Sequence, residues 1–192
     1  QESLKKGEVT TLPGVNTIAD GTAVKTPGKN IFPYIQKNLD DIITVPDEEL
    51  VVAFLDIVEN HKMVVENSGL LTVAALKHLN VQNQRVVSIL SGGNMDIITM
   101  SSVVQQGLIF RDRIFTVSVL LPDKPGMLSK VADVIAKENG NVIKLEHNQF
   151  VSINRSAAVE LRITLETFGT EHKNQIIKAL EEKGYQPKQV RT

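Results

Sequence analysis

Val86-Val87-Ser88-Ile89-Leu90-Ser91-Gly92-Gly93-Asn94 is the stretch from which the organisation of this chain is read. Val86 to Leu90 is a short apolar run rich in β-branched residues, the pattern of a strand buried on both faces. It stops at a hydroxyl, two glycines and an asparagine, and Met95 to Gln106 then has the loose apolar spacing of a helix. Such a junction lets the backbone be approached closely, and a helix start offers free N–H groups, so small-molecule sites are built there. The same Gly-Gly turn also serves as plain connection.

Working back from this stretch, strand and helix signals alternate. Asp41 to Val45 reads as a strand, and Pro46-Asp47-Glu48-Glu49 as a helix start with acidic residues favoured by the helix dipole. Leu50, Val51, Phe54, Leu55 and Val58 continue that helix at its period. Met63 to Val65 is a three-residue strand ending at Glu66, and Ser68 or Asn67 can cap a helix from Gly69 to about Leu79. Gly7 to Lys29 reads as an irregular loop, and Ile31 to Leu39 as a short helix. This alternation predicts an α/β segment with partly parallel strands. Strands this short call for neighbours that the sequence does not supply. The opening Gln1-Glu2-Ser3-Leu4-Lys5-Lys6-Gly7 has the form of a helix tail without a start, so a piece of a longer protein is expected.

Forward of the stretch, residues 101–113 lose the period, and residues 108–113, which include Arg111-Asp112-Arg113, read as a solvated linker. Beyond it, Ile114 to Leu121 alternates as a strand. A turn with two prolines and a glycine follows at Pro122 to Gly126, then a helix with the face Leu128, Val131, Val134 and Ile135, stopped by Asn139-Gly140. Asn141 to Phe150 and Ala157 to Leu165 are two strands joined by a polar turn around Ser152 to Ser156. A helix with the face Ile176, Ile177 and Leu180 and a last strand from Tyr185 to Val190 complete β-α-β-β-α-β, the ferredoxin-like order. The expected division is 1–107, linker 108–113, and 114–192.

Composition narrows the function classes. Of 192 residues 42% are hydrophobic and only 4% aromatic, so the cores are aliphatic. The net charge of −1 without a block of like charge gives no sign of a nucleic-acid or membrane partner. The absence of cysteine excludes disulfides and thiolate metal sites and agrees with a cytoplasmic location. No apolar run is long enough to span a bilayer. His61, His78, His147 and His172 have no metal-ligand spacing, so no metal site is expected. Ser91 has no histidine near it in sequence, so a hydrolase elbow is not supported.

Two sets of motifs resemble known families. Thr17-Ile18-Ala19-Asp20-Gly21, Asp40-Asp41-Ile42-Ile43-Thr44-Val45, Val64-Val65-Glu66-Asn67-Ser68-Gly69 and Leu90-Ser91-Gly92-Gly93-Asn94 resemble the C-terminal part of the catalytic domain of threonine dehydratases (threonine ammonia-lyases). These are pyridoxal-phosphate enzymes with the tryptophan-synthase-β-like fold, type II. Leu121-Pro122-Asp123-Lys124-Pro125-Gly126-Met127-Leu128 and Asn139-Gly140-Asn141-Val142-Ile143 resemble an ACT domain, a small-molecule sensor.

The resemblance implies that Ser91 hydrogen-bonds the pyridine nitrogen of the cofactor and that the backbone at Gly21 lines its ring. A hydroxyl is too weak an acid to keep that nitrogen protonated, which gives a milder electron sink suited to loss of a β-hydroxyl. Glu66, ending a buried strand, either lies at the site or caps the helix that follows. Asn94 reads as a cap for the next helix. The family's Schiff-base lysine and phosphate-binding loop lie upstream, and Lys25, Lys62 and Lys77 lack its surrounding motif. The chain by itself is therefore expected to form no Schiff base with pyridoxal phosphate and to deaminate nothing.

In the second segment the N–H groups at the helix start, Pro125-Gly126-Met127-Leu128, suit an amino acid's carboxylate. Asp123, with Asn139 and Asn141 from the neighbouring turn, supplies acceptors for its ammonium. The implied effector is isoleucine or valine, and the implied assembly is a homodimer or homotetramer with the effector between paired domains. The implied parent converts threonine to 2-oxobutanoate and ammonia, and serine to pyruvate, once the missing N-terminal half is supplied. The alternative is a non-catalytic amino-acid-binding module acting in trans, or an oligomerisation element.

Overall fold

The computed structural model describes residues 1–149 and 159–190. The expected turn around Ser152 to Ser156, with Phe150 and Ala157, lies outside them. The chain divides into two compact units, Gln1–Gly107 and Leu108–Thr192.

In the first unit α1 (Glu2–Lys6) and α2 (Phe32–Asn38) precede α3 (Asp47–His61), around which the core is built. Leu50, Val51, Phe54 and Ile57 recur at helical spacing and bury their side chains against Val65, Leu70, Ala74, Val103 and Ala19. Pro46 is extended and leads into the acidic first turn, where Asp47 does positional work. Its carboxylate accepts hydrogen bonds from the Thr17 hydroxyl at 2.6 Å and the Ile18 N–H at 3.0 Å, which fixes the approach to Gly21. The helix expected from Gly69 to Leu79 is three short pieces, a 3-10 turn Asn67–Leu70, α4 (Leu71–Ala74) and a 3-10 turn Ala75–His78. At its head Gly69 is pressed against the Ser91 carbonyl, where an added Cβ would lie 1.7 Å from the oxygen.

Two expectations for this unit are corrected. The strands expected at Asp41–Val45, Met63–Val65 and Val86–Leu90 form no ladder, and Val86–Leu90 is not buried on both faces. Val87 is 88% and Ile89 69% exposed, while Leu90 reaches the core. A strand buried on both faces lies in a sheet covered by helices on each side, and this unit pairs no strand with these segments to make one. The helix expected to stop near Gln106 continues, as α5 (Ile97–Phe110), into the stretch read as linker. Gly107 did not break it: a helical glycine costs only about 1 kcal/mol, and here its bare backbone lets α3 approach. A Cβ at Gly107 would meet Leu55 Cδ2 at 3.3 Å.

The second unit follows its sequence pattern closely. β1 (Ile114–Leu121), α6 (Met127–Lys137), β2 (Asn141–Asn148), β3 (Val159–Glu166), α7 (Thr170–Glu182) and β4 (Lys188–Val190) form a four-stranded antiparallel sheet in the order β2-β3-β1-β4. This is the ferredoxin-like β-α-β-β-α-β fold. Phe115, Val117, Val119 and Leu121 on β1 lie on the same face as Leu161, Ile163 and Leu165 on β3, against Val131, Ile135, Ile176 and Leu180 of the two helices. The registers Val117↔Ile163 and Val119↔Leu161 keep these apolar sets opposite one another. The last strand is shorter than expected, starting at Lys188 rather than Tyr185. No helix among the described residues is long and apolar enough to cross a membrane.

Candidate functional site

In the first unit, three segments far apart in sequence cross at Glu66. The Glu66 N–H donates to the Gly92 carbonyl at 3.2 Å, and the Gly69 N–H to the Glu66 carbonyl at 2.9 Å. Gly92 has φ +75°, which a side chain rarely tolerates, and it also leaves room for the Glu66 carboxylate. A Cβ on Gly92 would lie 2.2 Å from Glu66 Cδ, and one on Gly21 would lie 2.7 Å from Ser68 Oγ and 3.5 Å from Glu66 Oε1. The fold thus gathers Gly21, Glu66 and the Ser91-Gly92 backbone in one place. Ser91 itself is exposed, with its carbonyl against Gly69.

Beside this crossing lies a cleft of about 490 Å³, whose walls include Thr17, Asp20, Glu66, Asn67, Asn94 and Thr99. Neither Ser91 nor any lysine lines it. Asn67 is only 5% exposed and gives its amide N–H to the Ile18 carbonyl at 3.0 Å. Its Oδ1 and the hydroxyl of Ser68 are buried without a hydrogen-bond partner among the described residues. A buried acceptor left unpaired costs about 1–3 kcal/mol, so these two atoms have bonding capacity to spend. Both residues were read from sequence as helix caps, and neither caps its helix by a side-chain hydrogen bond. The available signal was a pair of polar residues between the apolar runs ending at Val65 and starting at Leu70.

The cap of α5 is likewise reassigned from Asn94 to Asp96. Asp96 Oδ1 accepts from the N–H groups of Ile98 at 3.0 Å and Thr99 at 2.9 Å, and Oδ2 accepts from the Thr99 hydroxyl. The Thr99 hydroxyl, followed by its N–H, holds the Asp96 carboxyl below its ordinary range. An acceptor two or three residues before the free N–H groups reaches them, whereas Asn94 lies two residues too early. The unpartnered atoms of Asn67 and Ser68, with their neighbours, fit pyridoxal phosphate by chemical kind. The crossing offers a glycine-lined backbone, a carboxylate, and a buried carbonyl and hydroxyl without partners, all suited to a polar aromatic ring.

The second unit corrects the expected effector cluster. Gly126, at φ +82°, caps the start of α6, and the run Asp123 to Gly126 is exposed with Leu128, while Met127 is half-buried. Asn139, at φ +61°, and Asn141 follow the opposite end of the same helix. Eleven residues of α-helix separate the two groups by about 16 Å, so one copy does not bring them around one amino acid. The sequence spacing hid this because a turn adjacent in sequence to a helix end is not adjacent to its start. Asn141 spends its amide N–H on Glu166 Oε2 at 3.0 Å. Among the described residues no group of three or more His, Asp or Glu side chains is placed to hold a metal ion.

Comparison with known proteins agrees with the division of the fold. Residues 1–92 match the family described as pyridoxal-phosphate dependent enzyme, and residues 115–184 match the ACT domain. An L-threonine ammonia-lyase from Geobacter sulfurreducens is 37% identical over 185 residues, covering 95% of this chain and 46% of its own length. One from Thermotoga maritima is 32% identical, covering 96% and 46%. The processed form of threonine deaminase isoform 2 from Solanum lycopersicum superimposes with a TM-score of 0.52 at 28% identity, over 55% of this chain and 32% of that one. The chain therefore spans about half the length of the curated relatives it matches. Its first part belongs to the fold-type-II pyridoxal-phosphate-dependent enzymes and its second is an ACT domain, the C-terminal combination shared with relatives named threonine ammonia-lyase.

Proposed function

We propose that this chain is the C-terminal portion of a cytoplasmic threonine ammonia-lyase that converts threonine to 2-oxobutanoate and ammonia, and serine to pyruvate. The observation that carries this reading is the crossing at Glu66, where Gly21, Gly92 and the unpartnered Asn67 Oδ1 and Ser68 Oγ meet. Pyridoxal phosphate, when bound, supplies the electron sink for proton loss at the amino acid's α-carbon. Ser91, exposed in this chain, would hold the ring nitrogen through its hydroxyl, which is too weak an acid to protonate it. Gly21 and Gly92 leave room for the Ser68 hydroxyl and the Glu66 carboxylate, which together with Asn67 would orient the polar substituents of the cofactor. The Schiff-base lysine comes from the N-terminal half, so residues 1–107 act only in its company and the chain alone is inactive.

The second unit, residues 114–192, senses isoleucine or valine. The two halves of its effector set, Asp123 with Pro125 to Leu128 and Asn139 with Asn141, lie at opposite ends of α6. One copy does not bring them around one amino acid, so an effector held by both groups would require a second copy, as in a homodimer or homotetramer. By linkage, an effector that lowers substrate affinity is itself bound less tightly when substrate is present.

Co-expression with the lysine-bearing N-terminal half of a relative tests this reading. The pair is expected to release 2-oxobutanoate from threonine, and the chain alone to show neither activity nor a borohydride-sensitive cofactor absorbance. Ser91→Ala lowers kcat by roughly 10- to 100-fold, the worth of one hydrogen bond to a charged or reacting group. A pair that binds cofactor and is indifferent to Ser91→Ala removes the role of that hydroxyl. A pair that binds isoleucine but neither cofactor nor threonine leaves only a regulatory module.

A further inference from the structure

His172 is the one histidine buried in the second unit, 9% exposed, and both of its ring nitrogens are spent on backbone. It is the third residue of α7. Its Nδ1 accepts the Phe168 N–H at 3.1 Å, and its Nε2–H donates to the Glu138 carbonyl at 2.6 Å. Only the neutral ring protonated at Nε2 satisfies both bonds. The Phe168 ring stacks on the imidazole with centroids 5.0 Å apart and planes 18° off parallel.

The Glu138 carbonyl belongs to the end of α6, where helix carbonyls have no partner within the helix. It opens the turn Glu138–Asn141, which carries both asparagines of the effector set. Local preference ends the helix here but does not by itself fix where the turn lies. Asn139 takes the left-handed conformation at φ +61°, which asparagine adopts more readily than other side-chain-bearing residues. The Gly140 N–H reaches back to the Ile135 carbonyl at 2.9 Å. A Cβ on Gly140 would lie 2.8 Å from Ile135 Cγ2 and 2.9 Å from Ile176 Cδ1, so the turn rests directly on α7. The start of α7 is itself anchored, because Lys173 pairs with Asp112 at 2.7 Å and Thr170 donates to the same carboxylate at 2.8 Å. A rigid helix start thus holds the turn through one imidazole.

We infer that His172 is a positioning residue for the amino-acid effector, setting the Glu138–Asn141 turn through its bond to the Glu138 carbonyl. The inference rests on the effector reading proposed above. Two substitutions separate its two bonds. His172→Asn places an oxygen where Nδ1 stood and keeps the Phe168 bond, but does not reach Glu138. His172→Gln places an amide N–H where Nε2 stood and keeps the reach to Glu138.

The experiment compares wild type and both variants of the full chain, by amide hydrogen exchange at Gly140 and Asn141 and by calorimetry with isoleucine and with valine. His172→Asn is expected to speed exchange at Gly140 and to weaken amino-acid binding, each by about tenfold, the worth of one buried hydrogen bond. His172→Gln stays within about threefold of wild type in both. Exchange at Gly140 that is unchanged in His172→Asn, or faster in His172→Gln than in His172→Asn, overturns the positioning role. If exchange follows the expected order but wild type binds neither amino acid, the turn is held as described and the effector reading is the part that fails.

Discussion

Gly69→Ala tests the crossing at Glu66 more directly than any other single change. An alanine Cβ at this position would sit 1.7 Å from the Ser91 carbonyl oxygen, 2.8 Å from its carbon and 2.9 Å from Val65 Cγ1. Carbon and carbonyl oxygen approach no closer than about 3.3 Å, so roughly 1.5 Å must be opened between the two backbones. Neither neighbour yields cheaply. The Ser91 oxygen is backbone, and Val65 is buried in the core. Gly92, one residue on, is tied through its carbonyl to the Glu66 N–H. Overpacking of this kind costs about 1–3 kcal/mol, which for a unit of this size lowers the melting midpoint by on the order of 10 °C. A shift of about 1 Å at a reacting group also lowers rate by up to about a hundredfold, so activity of the paired enzyme falls further than its stability. The assay is thermal unfolding of the full chain with Gly14→Ala as control, since a Cβ at Gly14 meets nothing within 4 Å. Coincident melting of Gly69→Ala and the control would refute the close approach of Ser91 to Gly69, and with it the crossing that assembles the site.

Two further outcomes follow from the second unit. Burial pushes the Asp112 carboxyl up, but hydrogen bonds from Lys173 and Thr170 and the Lys173 charge outweigh it, leaving it below the ordinary aspartate range. A carboxyl lowered on folding stabilises above its unfolded value, about 3.9, and that contribution is lost as pH falls through the folded one. Asp112→Asn is expected to lose about 1–2 kcal/mol near neutral pH and to converge with wild type in acid. Parallel pH profiles in urea unfolding would contradict this. Leu161→Ala removes a fully buried side chain from β3 and is expected to cost about 2–5 kcal/mol, with loss of less than 1 kcal/mol excluding the core described here.

The two units differ in how far their sequences could be read. In Ile114 to Leu121 alternation placed Phe115, Val117, Val119 and Leu121 on the buried face, and Asn139-Gly140 marked the end of α6. Both signals act within a few residues, and every strand finds its partner inside the unit. Val86 to Leu90 carried an equally clear strand pattern but forms no ladder, because a strand is completed by neighbours that this unit does not pair with it. Residues 108–113 read as a linker, yet α5 runs on to Phe110, with Gly107 inside it where a Cβ would crowd Leu55 of α3.

The site divides in the same way. Residue types at Gly21, Glu66 and Ser91 were legible as motifs, and the sequence by itself determined which chemistry each position offers. That Asn67 and Ser68 keep unpartnered atoms was decided only by tertiary structure, whereas the Asp96 cap and the length of α6 between Gly126 and Asn139 are local features that follow from neighbouring residues. Propensity and periodicity are properties of adjacent residues. A site depends instead on which atoms meet after segments as distant as Gly21, Glu66 and Gly92 have packed, and on which of those atoms have already spent their hydrogen bonds on one another.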